Sequence, residues 1–220
     1  MKIDRSLLER LLTGCPLGRP LHLFDSLGST SDECKRLAEL GAPEGTLVLT
    51  WEQTQGRGQF ERTWLSPPGA GLYLSVLLRP EGPPSSTAAI SGAVARSVAD
   101  ALRQAGVKAV RVAVPNDVLA GERKIAGVLV EPRVGSRRID FAVVGIGVNL
   151  GQSPGDWAAV ELRRPATSCS MEGVRLTVEA AAASILKALA AGLGSTAGGK
   201  PAQEGESHDE QGTHPEHLGA

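Results

Sequence analysis

Histidine is scarce in this chain: of four among 220 residues, His208, His214 and His217 fall in the last stretch, leaving His22 alone in sequence able to build a core. Ser-His-Asp and Cys-His constellations need a positioned base, so nucleophilic hydrolysis by that route is not expected. Cysteine is scarce too. Cys15, Cys34 and Cys169 are odd in number and far apart, which suits neither a disulfide framework nor a CxxC metal site. They should pack as free, small, apolar groups, and the floppy setting of the last three histidines argues against a functional metal site there. No apolar run approaches the roughly 20 residues that span a bilayer. The opening MKIDRSLLERLL carries acids among its apolar positions, unlike a secretory signal, so a cytoplasmic protein with no membrane partner is expected. A net charge of −1 supplies no global attraction to nucleic acid, and any electropositive site must come from local clusters such as Arg57 and Arg62. No internal repeat is present.

What the chain does have is an ordinary globular composition, 41% hydrophobic, and enough length for one sizeable core. Ile3, Leu7, Leu8, Leu11 and Leu12 recur at helical spacing before GCPLGRP stops them; the helix is too short for a helix-turn-helix. After the apolar LHLF, the segment GSTSDECKRLAELG reads as a helix. Thr30 and Glu33 stand at capping-box spacing, which puts Ser29 and Thr30 at its N-terminus. TLVLTW and GLYLSVLLRP read as strands, the second with Leu72, Leu74, Val76 and Leu78 on one face. A helix is expected from about Thr87 to Ala105, a strand over KAVRVAV running into the turn PND, and two strands joined around Gly135. A last helix is expected from Val178 to Leu193. Strands dominate without alternating strictly with helices, so the expected class is α+β, a mixed sheet flanked by helices. From Gly194 onward large apolar side chains almost vanish, too few to offset ordering entropy. The expected division is an N-terminal helix and linker over 1–20, one catalytic domain over 21–193 and a disordered Gly/Glu-rich tail over 194–220.

Candidate chemistry gathers in four segments. EQTQGRGQFERTW, Glu52 to Trp64, sets glycines around Arg57, adds Arg62 and ends on one of three tryptophans. Gly56 and Gly58 would let backbone N–H groups approach an anion while Arg57 offers forked donors. The stretch matches neither a Walker nor a Rossmann pattern, and a plain surface loop with solvated arginines fits the loop alone equally well. VPNDV places an amide and a carboxylate on a proline-stiffened turn. ERKIAGVLVE sets Lys124 at the mouth of a strand that contains Gly127, and VVGIGVNL carries two more strand glycines before Asn149. Each of these could be only a turn or a tightly packed strand.

In order along the chain, these segments resemble the catalytic domain of the biotin protein ligase family. LGSTSDE resembles its Ser-Thr-Asn segment, QTQGRGQFERTW its GRGRxGRxW loop, and SPPGAGLYLSVLLRP the strand that follows. VPND is similar to KWPND, RKIAGVLVE to RKLAGILVE, GIGVNL to GxGxN, and ELRRPATSC to the ATSL region. The resemblance implies an ATP-dependent ligase that joins biotin to AMP and then to a lysine of a carboxylase biotin carrier domain. It implies biotin contacts at Ser29, Thr30, Gln53, Gly56, Arg57, Gly58 and Gln59, and ATP contacts at Arg62, Trp64, Asn116, Lys124 and Asn149. Gly127 and Asn149 would shape the pocket walls. Arg57 and Lys124 would stabilise charge as the acid attacks the α-phosphate with Mg²⁺, a step that needs positioning and positive charge more than a histidine. In the second step the carrier lysine has a reference pKa of ~10.4 and is rarely unprotonated at neutral pH, which makes Asp117 a candidate base.

Four positions depart from the family pattern: Gln59, Glu61, Ala113 and Val114. Losing a charge-assisted hydrogen bond costs on the order of 1.5–3 kcal/mol, so two missing cations would loosen an adenylate by roughly 10²- to 10⁴-fold. Three readings follow: a working but loose ligase, a paralogue that binds biotin or carrier without turnover, and a ligase for another carboxylic acid such as lipoate or octanoate. The small C-terminal β-domain of many relatives and the N-terminal DNA-binding domain of some are not seen, so repression of transcription is not expected. Edge-strand homodimers are common in such proteins, and nothing in the residues decides that point.

Overall fold

The computed structural model describes residues 3–158, 160 and 162–196, without the side chains of 61 and 194–196. The tail expected from Gly194 lies, beyond Thr196, outside the described residues.

Chain order is α1 (Arg5–Leu11), β1 (Leu21–Phe24), α2 (Thr30–Glu39), β2 (Leu47–Thr50), β3 (Gly71–Leu78), α3 (Thr87–Gln104), β4 (Val110–Ala113), β5 (Asp117–Ala120), β6 (Arg123–Val134), β7 (Ile139–Asn149) and α4 (Val178–Thr196). The strands form one seven-stranded sheet in the order β1-β2-β3-β7-β6-β5-β4. Only β1 and β2 run parallel; every other pair is antiparallel. That is the mixed sheet of an α+β domain.

Alternation along β3 explains the layering. Leu72, Leu74, Val76 and Leu78 point to one face and join Val94, Val98, Leu102, Ala182, Leu186 and Leu189 of α3 and α4 in the main core, with Leu8 of α1. Each fully buried leucine contributes roughly 1.5–3 kcal/mol, so this face holds the domain together. On the other face Leu77 meets Val48, Phe141 and Val143, and α2 covers them with Cys34 and Ala38. The helix reaches over only one end of that face. Where it stops, the floor of a hollow is made of small residues, Gly127, Gly145 and Gly147, with Ser75 buried next to Gly145.

Helix ends follow local chemistry. α3 closes at Ala105, and Gly106 takes φ +100°, a left-handed value that suits glycine at a helix stop. The start of α2 differs from the capping-box expectation. Ser29, not Thr30, is the N-cap and its side chain makes no capping bond. Glu33 turns to Arg36 instead, accepting at 2.7 and 2.9 Å. Thr30 is drawn away by the site. The free thiols behave as expected: burial pushes Cys34 up to about 12 and Cys169 up to about 11, so both stay protonated and inert at neutral pH.

Candidate active site

The α2 N-terminus and the loop after β2 meet over the open floor through one amide. Gln53 Oε1 accepts from the Thr30 N–H at 2.9 Å and from the Thr30 hydroxyl at 3.1 Å, and Gln53 Nε2 donates to Ser66 Oγ at 3.0 Å. Thr30 Oγ1 also accepts from Ser75 Oγ at 2.9 Å, and Ser31 and Ser75 hydroxyls lie 3.1 Å apart. Thr30, Ser31, Ser66 and Ser75 are buried, so each must have such a partner. Ser29, 5% exposed, lines the same hollow.

Trp64 forms the next wall. Gly127 and Gly147 are register partners on β6 and β7, and the indole lies flat across them. A methyl at Gly147 would run into the ring, and one at Gly127 would sit 3.0 Å from its Cζ3. The paired glycines therefore make room for an aromatic plane on a sheet. The indole N–H is buried and has no partner among the described residues. Lys124 Nζ stands 5.2 Å from the ring centroid, within cation-π range, and 2.6 Å from Asp117 Oδ1.

Arg57 reaches over the hollow and grips Asp32 through both guanidinium arms at 2.5 Å, with Glu131 3.8 Å away. The hydrogen bonds from Arg57 hold the Asp32 carboxyl below its ordinary value of 3.8 against an opposing push from burial. A carboxylate depressed in the folded state stabilises it above its unfolded pKa and loses that contribution as pH falls through the lower folded value. The clamp should thus be intact from neutrality down to about pH 4 and fail below it. Acid titration of Asp32→Asn beside the parent checks this: the stability gap between them should be constant above pH 4 and close below it. A gap that persists unchanged into strong acid would show that the pair contributes nothing to the fold.

Asn116 and Asn149 anchor the remaining walls. Asn116 Nδ2 donates to the Val128 carbonyl at 2.9 Å, pinning the proline turn onto β6. Asn149 Nδ2 donates to the Thr167 carbonyl at 2.9 Å, tying the end of β7 to the segment after it. Two hollows result, sharing Trp64 as a partition. One, with about 40 Å³ free, is lined by Ser29, Thr30, Gln53, Arg57, Asn116 and Gly127 among others. The second, about 60 Å³, lies on the far side of the indole among Lys124, Asn149, Trp157, Leu162 and Arg164. A roomier hollow of about 380 Å³ beside the start of α4, between Trp51, Leu150 and Val178, contains none of these groups.

Ser29, Thr30, Gln53, Arg57, Trp64, Asn116, Lys124 and Asn149 are therefore brought together, as the sequence suggests. Gly56, Gly58, Gln59, Arg62 and Asp117 line neither hollow. The bare-backbone expectation for the loop is corrected. Gly56 is buried, and a side chain there would strike the Trp64 carbonyl and the Ser66 hydroxyl, so it lets the loop pack on itself. The Gly58 N–H is taken by the Arg62 carbonyl at 2.6 Å. Arg62 stands over the Phe60 ring at 5.4 Å. Sequence reading missed Asp32, Ser75, Trp157 and Arg164. Only Asp32 carries a signal, two residues after the Ser-Thr pair, and acids in a first helical turn are common for dipole reasons alone.

Comparison with known proteins supplies the family. The Biotin/lipoate A/B protein ligase family profile matches residues 23–149. The bifunctional ligase/repressor BirA of Bacillus subtilis (strain 168) is 36% identical over 154 residues, 70% of this chain and 47% of that protein. The biotin–acetyl-CoA-carboxylase ligase of Paracoccus denitrificans is 40% identical over 135 residues, 60% of this chain and 55% of that one. A solved biotin protein ligase from Aquifex aeolicus, in complex with biotin and ATP, superposes with a TM-score of 0.64 at 30% identity, covering 79% of this chain and 71% of its own. The chain spans about half the length of the curated relatives it matches. With the matched profile running from β1 to the end of β7, across the glycine floor and both polar walls, this chain belongs to the Biotin/lipoate A/B protein ligase family.

Proposed function

We propose that this chain is a biotin–protein ligase that activates biotin with ATP to biotinyl-5′-AMP and passes the biotinyl group to a lysine of a carboxylase biotin carrier domain. The observation that carries this reading is the paired hollow. A small polar pocket that ends in a guanidinium opens beside one walled by tryptophans and a lysine, with Trp64 between them. Ser29, Thr30 and Gln53 offer the donors and acceptors that a ureido ring needs, and Arg57 faces the acid's carboxylate. Relatives named for biotin, and one held with biotin and ATP, support the choice of acid and nucleotide.

In the first step a carboxylate oxygen of biotin bonds to the α-phosphorus of ATP as the bond to pyrophosphate breaks. Two anions meet, so Arg57 and Lys124 supply positive charge there, each turning part of it away from its carboxylate partner, Asp32 or Asp117. In the second step the carrier lysine nitrogen attacks the acyl carbon and AMP leaves. Asp117 is engaged with Lys124 at 2.6 Å, so it is assigned to holding that ammonium rather than to taking the lysine proton. Mg²⁺ keeps most of its waters and binds through phosphates with one or two carboxylates. The ion would come with the nucleotide and neutralise phosphate charge. A reaction that spends ATP on a carrier protein belongs with the cytoplasmic nucleotide pool. Strands β1 and β4, the sheet edges, offer surfaces for a homodimer.

Purified protein with ATP, Mg²⁺, biotin and an isolated carrier domain should yield carrier that binds streptavidin. No labelling, under conditions where a known ligase labels the same carrier, would overturn the assignment. The hollow on the acid side, with about 40 Å³ free, is tight for a bicyclic acid, and Trp64 is the wall we expect to shift when biotin enters. Its unpartnered N–H leaves the closed position penalised by about 1–3 kcal/mol, which eases that shift. Biotin should therefore change tryptophan fluorescence, and Trp64→Phe should remove the change although Trp51 and Trp157 remain. An unaltered response in Trp64→Phe would place the movement elsewhere.

A further inference from the structure

An incoming nucleotide brings several negative charges to a hollow whose nearest cations are already neutralised. Lys124 is paired with Asp117 at 2.6 Å. Arg57 holds Asp32 through both arms and has Glu131 at 3.8 Å, and Arg123 is paired with Glu172 at 2.8 Å. Positions 59 and 113, where a cation would help, carry Gln59 and Ala113.

Arg164 is different. It lines the nucleotide-side hollow with Lys124, Trp64 and Trp157, is partly buried, and is left out of the ion pairs formed among the described residues. Its guanidinium has no carboxylate or carbonyl partner among the described residues and is left available to a ligand. Its backbone is held in place on both sides of Lys124. The Pro165 carbonyl accepts from the Lys124 N–H at 2.8 Å, the Thr167 N–H donates to the Lys124 carbonyl at 2.9 Å, and Ala166 bridges Lys124 in parallel register. The guanidinium thus springs from a fixed ledge beside the reacting end of the site. Arg62 does not compete for the role, since it is exposed, lies over Phe60 and lines neither hollow.

We propose that Arg164 is the cation that receives the nucleotide phosphates in this chain, supplying the charge that Gln59 and Ala113 cannot. A planar fork matches two phosphate oxygens at once, and the tryptophan walls next to it suit a flat base. The assignment rests on the ligase reading above for the nucleotide's identity.

The test uses the full chain with Arg164→Ala and Arg164→Lys. In biotin-dependent pyrophosphate exchange, Arg164→Ala should raise KM for ATP roughly 10- to 100-fold while KM for biotin stays within about twofold. Arg164→Lys should recover part of the loss, because it keeps the charge without the fork. Separately from turnover, a non-hydrolysable ATP analogue should raise the melting temperature of the parent and not that of Arg164→Ala. Equal rises in both proteins would overturn the proposal, as would parallel increases in both KM values, which mark a general structural defect. If the parent exchanges no pyrophosphate with biotin, the ligase reading fails by itself. The analogue-induced melting shift then still decides Arg164, upholding it if lost in Arg164→Ala and overturning it if kept.

Discussion

Replacing Lys124 with methionine is expected to slow biotin-dependent pyrophosphate exchange by roughly 10²- to 10³-fold, the cost of removing one preorganised positive group from a centre where charge develops. Lys124 opens β6, and its backbone is stapled on both sides by Pro165 and Thr167, so its ammonium has little freedom to be anywhere else. It stands at the partition between the two hollows, 5.2 Å from the Trp64 ring, where the acid's carboxylate and the α-phosphate must meet. Methionine keeps most of the aliphatic stem and removes the charge. It also leaves Asp117, whose side chain is 26% exposed, without its partner, and an uncompensated carboxylate lowers stability. The double variant Lys124→Met/Asp117→Asn separates the two effects. Its melting temperature should return toward the parent's while exchange stays slow. Recovery of exchange in the double variant would make Lys124 a structural residue only.

Gly147→Val should abolish activity at a modest cost in stability. Gly147 sits in the middle of the sheet, paired with Tyr73 on β3 and Gly127 on β6. Valine favours a strand and glycine weakens one, so the strand itself tolerates the change. Yet the new side chain would occupy the space of the Trp64 indole and fill the floor on which the acid and the adenylate lie. Displacing a reacting group by about 1 Å can cost roughly 10²-fold in rate, and a branched side chain displaces more. Exchange and biotin-induced fluorescence should both be lost, and displacing the indole should lower stability by about 1–3 kcal/mol. Near-normal exchange in this variant would mean that the glycine pair is not the floor of the site.

Periodicity made the large elements readable. The Leu72, Leu74, Val76, Leu78 alternation and the spacing in the helices reflect one core on one face, and the structure repeats them closely. β1 and β5 escaped although β2 and β4, equally short, did not; LHLF has none of the β-branched residues that mark LVLT and VRVA, and Asp117–Ala120 is hidden by the turn residues just before it. The site was legible where a residue type has one dominant use, as with Lys124 at a strand mouth or glycines inside a strand. It was not legible where partners come from distant elements. Arg57 meets Asp32 from α2 and Glu131 from β6, and no local pattern links those positions. Glycine also misled in the loop: a residue needed so that Gly56 can pack under the Trp64 carbonyl looks, in sequence, the same as one needed for a ligand. Arg164 was hidden because nothing local in ELRRPATSC links it to Lys124; the link is the bridge made two residues on, by Ala166.

The measurement that bears most directly on this account is exchange of labelled pyrophosphate into ATP, run with biotin, lipoate and octanoate in turn, beside Arg57→Ala. Exchange driven by biotin alone and collapsing in Arg57→Ala is the result predicted. Exchange that needs no acid, prefers lipoate or octanoate, or is indifferent to Arg57 would contradict it.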